Sequence, residues 1–359
     1  MDTCGWSSVG GRTEKKQASR KSSTVSLYVS WPKSLFLARF LTAGVQNIVV
    51  TGSAGFIGSH VADELERRGH SVVRSDIRPC DGPNDGWKVA DLTRLDELVE
   101  VTRGASAVCH IGGIGDVYHA TRDPALAMKV NAGGTANILE AAKRNSVKRF
   151  VYASTWEVYG QPRYEPLDEE HPCNPRHPYS VSKFAGDLAV QTYREQGFLT
   201  SVVLRLGTTY GPRMRPNGVI PSFVLRALSG QRIEVQGTGS QSRQFTHVTD
   251  VVNAFALALE ASSPAGVYNI AGPDRTSIRD LAEMISHRIP ADVVTVVSRP
   301  NDVPPGAISS KRAERDLGWR PRVPFARGLE ELVDLYVKDA GGRGENGVGY
   351  GVASSSPGL

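Results

Sequence analysis

Short apolar runs, continuous rather than alternating, recur along the chain at 48–51 (IVVT), 71–75 (SVVRS), 105–111 (ASAVCHI), 149–154 (RFVYAS) and 200–206 (TSVVLRL). A strand covered by helices on both faces reads in this way, so these runs predict strands of a parallel sheet. Between them apolar positions fall three and four apart, as in Ile57, Val61 and Leu65, in Thr135, Ile138, Leu139 and Ala142, and in Ala185, Leu188, Ala189 and Thr192. That is the period of a helix buried along one stripe. Strands alternating with helices predict an α/β fold with a doubly wound parallel sheet. After Leu206 the texture changes: prolines and glycines cluster in GTTYGPRMRPNGVIP and SRPNDVPPGAISS, with a helical stretch at 248–260 and a strand-like VYNIAG between them. The expected organisation is a sheet domain over 46–206 and about 245–270, with a smaller, interleaved C-terminal substrate lobe over 207–244 and 271–338.

The stretch NIVVTGSAGFIGSH, Asn47 to His60, joins the first strand to the first helix. Gly52, Gly55 and Gly58 supply a tight turn, bare backbone for a close ligand and close packing of helix on strand, and Phe56 and Ile57 begin the helix. Free N–H groups at that helix start suit a pyrophosphate, as in a Rossmann dinucleotide site. Asp76 ends the second strand 18 residues after Gly58, where a carboxylate accepts from the ribose hydroxyls of NAD and repels a 2′-phosphate. Arg74 and Arg78 flank it, and either could pair with such a phosphate, so NAD is favoured with NADP left open. Asp91 and Leu92 either meet the adenine or form a solvated turn.

Charge removes some alternatives. The formal charge is +5, but residues 1–46 hold Arg12, Lys15, Lys16, Arg20, Lys21, Lys33 and Arg39 against Asp2 and Glu14. The rest of the chain is balanced, which gives no reason to expect a nucleic-acid partner. Residues 1–45 read as a disordered basic leader, with a transit peptide as the alternative, and 339–359 as a glycine- and serine-rich disordered tail. The apolar Leu35–Leu41 stretch is interrupted by Arg39 and too short to span a bilayer, so no membrane partner is expected. Cys4, Cys80, Cys109 and Cys173 are scattered, with no CxxC or HExxH, so no metal is expected and reduced thiols in the cytoplasm are.

Candidate chemistry sits at two places. VYASTWEVYG, 151–160, brings Ser154, Thr155 and Glu157 to the carboxyl edge of the sheet, where open α/β sheets bind ligands. HPYSVSK places Tyr179 and Lys183 four apart on one helical face. An ammonium and a positive nicotinamide ring would favour the phenolate. Tyr179 could then take a proton from a substrate hydroxyl held by Thr155 or Ser154 as hydride leaves the same carbon.

With TGSAGFIG at 51, Asp76, CHIGG at 109, VNAGGTANILEAA at 130, STWEVYG at 154, YSVSK at 179, LRLGTTYGPR at 204, GTGSQSRQFTHVTD at 237 and YNIAG at 268, the chain resembles the NAD-dependent sugar-nucleotide epimerase/dehydratase family over about 46–338. These are extended short-chain dehydrogenase/reductases. The resemblance implies cofactor binding by Gly52, Gly55, Gly58, Asp76 and Lys183, with Asn131 beside the active site, and a catalytic group of Thr155, Tyr179 and Lys183. It also implies that Arg243 and Arg299 bind the diphosphate of a nucleotide sugar, and that two copies pair through the helices near 124–144 and 178–196 as a homodimer. Three departures stand out: His110-Ile111-Gly112-Gly113 where the family usually has alanines, Thr208 in place of a frequent substrate-contacting asparagine, and Trp156 where a dehydratase carries an acid. The expected activity is a 4-epimerase on a UDP-hexose. The alternatives are a 4,6-dehydratase or UDP-glucuronate decarboxylase using Glu157, and a non-catalytic NAD-binding redox sensor.

Overall fold

The structure, a computed structural model, describes residues 46–79, 86–260, 262, 264–297 and 306–341. The expected leader and nearly all of the tail, together with Cys4, Cys80 and Arg299, lie outside the described residues. The apolar runs form β1 (Asn47–Thr51), β2 (Ser71–Asp76), β4 (Ala107–His110), β5 (Arg149–Thr155) and β6 (Thr200–Leu206), joined by the short β3 (Trp87–Val89) and by β10 (Gly266–Ile270). They make one parallel seven-stranded sheet in the order β10-β6-β5-β4-β1-β2-β3. The direction of winding reverses between β1 and β4, where Val49 sits opposite Val73 on one side and Val108 on the other. A crevice opens at such a switch point, at the carboxyl ends of the strands.

Strand alternation sends neighbouring side chains to opposite faces. Ile48 and Val50 pack on one face with Val61 and Leu65 of α1 (Phe56–Arg67). Val49 packs on the other, with Leu98 of α2 (Leu95–Val101) and with Ile138 and Leu139. Chain order continues with α3 (Val117–Arg122), a short turn Pro124–Ala127 that runs into a π-helical segment Met128–Gly133, α4 (Gly134–Arg144) and α5 (Pro178–Glu195). Helices α4 and α5 cover the face of α2, and α7 (Val248–Leu259) joins α1.

The remaining elements surround a separate core of Tyr210, Phe223, Ile233, Phe245, Leu281 and Leu332. They are β7 (Thr208–Tyr210), α6 (Val219–Leu228), β8 (Ile233–Gln236), β9 (Ser242–His247), β11 (Arg275–Ser277), α8 (Ile278–Arg288), β12 (Val293–Val296) and α10 (Phe325–Gly341). Strands β11, β9 and β7 form one small sheet and β12 and β8 another. Between α8 and α10, α9 (Lys311–Leu317) leads into Trp319, which is fully buried with α7 in the first core and donates its indole N–H to the Asp250 carbonyl. The cavity described next lies where the small elements meet the carboxyl edge of the large sheet.

Candidate active site

Thr51 closes β1 and Gly52 follows with φ +73°, a left-handed conformation that glycine adopts without strain. A Cβ at Gly58 would stand 2.1 Å from the Gly52 carbonyl oxygen, so that glycine lets α1 begin directly against the turn. Gly55 is the N-cap of α1, makes no side-chain cap, and no acidic residue occupies the first turn. The helix therefore presents uncapped N–H donors and its positive end to the cavity, which fits a pyrophosphate. Asp76 is held at the end of β2: its carboxylate accepts from the Ala54 N–H at 3.1 Å and from the Arg78 N–H at 3.1 Å. Arg74, a candidate for a 2′-phosphate, is instead paired with Asp63 at 2.6 Å and Glu66 at 2.8 Å on α1. Arg78, the other flanking arginine, is exposed and lies 3.4 Å from the Asp76 carboxylate. Asp91 lines the cavity but accepts from the Thr93 N–H at 2.8 Å, the turn geometry that the sequence left open, and Leu92 lines it too.

Thr155 is the last residue of β5, and Tyr179 and Lys183 stand on successive turns of α5. Burial pushes the Tyr179 phenol up, the Glu157 carboxylate adds to this, and a hydrogen bond from Thr155 and the charge of Arg215 oppose it. Burial lowers the Lys183 ammonium to about 7, partly offset by Asp187, and its Nζ lies 4.3 Å from the centre of the Tyr152 ring. Lys183 Nζ lies over the Tyr152 ring, and Arg215 is a cation whose charge favours the Tyr179 phenolate. His110 is buried against Tyr152, between the hydroxyls of Thr51 at 2.7 Å and Thr135 at 3.1 Å, and burial lowers it to about 3, so it is a neutral structural imidazole.

Thr155 or Ser154 is expected to hold a substrate oxygen, and the family resemblance places Thr155 in the catalytic group. The structure separates them, because Ser154 donates its hydroxyl to Asp187 at 3.0 Å. Asp187 is fully buried and also accepts from Arg205 at 3.0 Å and Gln191 at 2.6 Å. Thr155 remains beside Tyr179. The Glu157 carboxylate meets His177 Nε2 at 2.6 Å, and Trp156 lines the cavity between Thr155 and Glu157. Asn131 sits in the π-helical segment, a feature frequent at functional sites. Its amide donates to Ser182 Oγ at 2.9 Å and accepts from the Ile114 N–H at 2.7 Å, tying α5 to the loop after β4.

The cavity measures about 1050 Å³ and is lined by Gly52, Gly55, Phe56, Ile57, Gly58, Asp76, Asp91, Leu92, Ser154, Thr155, Glu157, Tyr179, Lys183 and Thr208. That exceeds the ordinary range for one small ligand and suits a dinucleotide with a second molecule. Arg243, on β9, is not among the lining residues and donates to the Ser242 carbonyl at 2.9 Å. The sequence reading missed the segment 211–218, which crosses the mouth. Its Pro212 carbonyl meets His60 at 2.9 Å and Arg213 meets Asp63 at 2.8 Å, both on α1. On the opposite wall Arg215 donates to the Gly115 carbonyl at 2.7 Å and Asn217 to Asp116 at 2.7 Å. The dense turn and basic residues of GPRMRPNG were the available signal.

A family model described as "NAD dependent epimerase/dehydratase family" matches residues 48–271. The chain belongs to this family. Membership makes NAD its cofactor, in keeping with the uncapped α1 terminus and Asp76. A putative UDP-glucose 4-epimerase of Methanocaldococcus jannaschii is 31% identical over 300 residues, 80% of this chain and 97% of its own length. A dTDP-glucose 4,6-dehydratase of Streptomyces niveus is 34% identical over 311 residues, 80% of this chain and 92% of its own length. Among solved structures, a UDP-glucose 4-epimerase of Thermotoga maritima with UDP-glucose superposes with a TM-score of 0.76 at 28% identity, covering 81% of this chain and 99% of that one. The chain is therefore an enzyme of the NAD-dependent sugar-nucleotide epimerase/dehydratase class. Among the described residues no group of side chains could hold a metal ion, and no helix is long and apolar enough to cross a membrane.

Proposed function

We propose that this family member is a 4-epimerase of a nucleotide-linked hexose, with a UDP-hexose as substrate. The observation that carries the reading is the pair Trp156 and Glu157. Eliminating water from carbons 5 and 6 of the sugar needs an acid to protonate the departing hydroxyl. Trp156 stands at the acid's position and offers none, while the Glu157 carboxylate is engaged by His177 at 2.6 Å. Epimerisation asks less of the protein: a group that takes the carbon-4 hydroxyl proton and returns it.

Tyr179 takes that proton in this reading, and Thr155 holds the oxygen beside it. Bound NAD supplies the hydride acceptor in the first half of the reaction and the donor in the second. The Gly52–Gly58 turn with Phe56 and Ile57 holds the pyrophosphate, Asp76 and Lys183 the riboses, and Asp91 and Leu92 the adenine end. Thr208 contacts the sugar, and Arg243 and Arg299 keep the diphosphate role that the family pattern gives them. Exposed Val181 and Leu188, seven apart on α5, support a homodimer through this helix and α4.

The purified protein is expected to convert UDP-glucose to UDP-galactose without added NAD. Failure across UDP-, dTDP- and GDP-hexoses would sink the reading. Glu157 lines the cavity, which favours dehydratase or decarboxylase chemistry as the second reading. Solvent deuterium at carbon 5 of the product, or release of carbon dioxide from UDP-glucuronate, would establish it instead.

A further inference from the structure

His177 stands where α5 begins, directly before the Pro178-Tyr179 pair, and makes three contacts at once. Its Nδ1 accepts the Ser180 N–H at 3.5 Å while Ser180 Oγ accepts from the His177 N–H at 3.3 Å, which closes a reciprocal cap over the first turn. Its Nε2 lies 2.6 Å from Glu157 Oε2. Its ring is stacked nearly parallel to Tyr179, with centroids 6.0 Å apart and planes at 16°. The cap decides the tautomer. A backbone N–H can only donate, so Nδ1 is the acceptor and the ring proton is on Nε2, directed at the carboxylate. Glu157 is thereby fixed as an acceptor beside the base rather than left to rotate into solvent.

We propose that His177 is a positioning residue which, through its Nε2–H, holds the Glu157 carboxylate against Tyr179, so that a fixed negative charge sets how readily the phenol gives up and recovers its proton. The proposal rests on the reading of Tyr179 as the base. An epimerase base must release its proton as easily as it takes one, and a phenolate stabilised only by cations would be too weak a base to take it readily. The groups facing Tyr179 are few. Thr155 comes from β5 and Glu157 from the 3-10 turn after it, Arg215 comes from the segment over the mouth, and His177 is on its own helix. Lys183, one turn on, is directed at Tyr152 of β5, which stacks on His110 of β4. Glu157 is the anion among those acting on the phenol and opposes ionisation.

The test uses full-length His177→Asn, Glu157→Gln and the double variant. Asparagine is a good N-cap, so the first change keeps the helix start while losing the reach to Glu157. The acidic limb of the kcat–pH profile should move to lower pH by about one unit in Glu157→Gln, because a neutral amide no longer opposes the phenolate. It should move the same way in His177→Asn, and the double variant should match Glu157→Gln. Nitrogen-15 spectra of the wild-type protein should show His177 protonated at Nε2 alone, and thermal midpoints should be nearly unchanged. An unmoved limb in both single variants, additive shifts in the double variant, or a proton on Nδ1 overturns the proposal while Tyr179→Phe remains inactive. An active Tyr179→Phe protein would overturn the base assignment as well, so the two failures are told apart.

Discussion

Replacing Lys183 with methionine should abolish turnover and make the protein more stable. Lys183 is 6% exposed and lies in the wall of the cavity. Burial brings its ammonium down from 10.5 to about 7. At about 1.36 kcal/mol per unit, the folded state bears on the order of 5 kcal/mol for holding this charge. That is an upper bound, since water entering the cavity recovers part of it. Below pH 7 the amine is charged in the folded and unfolded chain alike, and the full penalty is present. Between about 7 and 10.5 the unfolded chain binds the extra proton, so this group's contribution to stability rises with pH, and above 10.5 the penalty is gone. Methionine fills a similar volume, keeps contact with the Tyr152 ring and leaves the Asp187–Arg205 pair intact. Urea denaturation from pH 6 to pH 10 should therefore show Lys183→Met more stable than wild type by about 2–5 kcal/mol at the acid end. The gap should close as the pH rises, and taking the difference between the two proteins cancels the titration of shared groups. A variant no more stable at pH 6, or a gap independent of pH, would refute the claim that the site holds a destabilised cation.

Four further outcomes are expected. Arg215→Ala combined with Asn217→Ala frees segment 211–218 from Gly115 and Asp116; at about 0.5–1 kcal/mol per exposed contact, NAD should leave about tenfold faster in a gel-filtration release assay. Asp76→Ala removes the acceptor at the end of β2 and should weaken NAD binding by about 1–3 kcal/mol in calorimetry, with a smaller loss for NADP. Trp156→Asp supplies an acid where the indole stands, and should give a trace of dehydrated product marked by solvent deuterium at carbon 5. Leu188→Glu puts a charge on the exposed apolar face of α5 and should shift a dimer to monomer in light scattering while leaving the thermal midpoint within a few degrees.

Much of the large sheet was legible because it is written in contiguous residues. Each of the five apolar runs is a strand within two residues of its expected ends. The small sheets were not legible: TTY, SRQFTH and RTS in β7, β9 and β11 are short and polar, and they pair because the second core brings them together. The glycine turn was legible for the same local reason as the sheet. The segment over the mouth was not, since its contacts join residues 100 and 101 apart.

Ser154 and Thr155 mark where a local signal existed and was not used. Both are hydroxyl residues at a strand end, and composition cannot rank them. Strand alternation can: Phe150 and Tyr152 pack with Val190 of α5 in one core, and Val151 and Ala153 belong to the other. Ser154 shares the phase of Phe150 and Tyr152, so it is turned toward α5, where Asp187 takes its hydroxyl. Thr155 has the opposite phase and is the strand's last residue, where it caps the following turn through the Glu157 N–H at 3.3 Å and lies close enough to Tyr179 to favour its phenolate. The phase of β5 thus turns one hydroxyl to a buried carboxylate and leaves the next at the strand end beside Tyr179. Ser154→Ala should accordingly lower stability by about 1–2 kcal/mol through the unsatisfied Asp187, with kcat nearly unchanged, while Thr155→Ala should lower kcat with little change in the urea midpoint. The reverse pattern would mean that the face toward α5, not the end of the strand, holds the substrate.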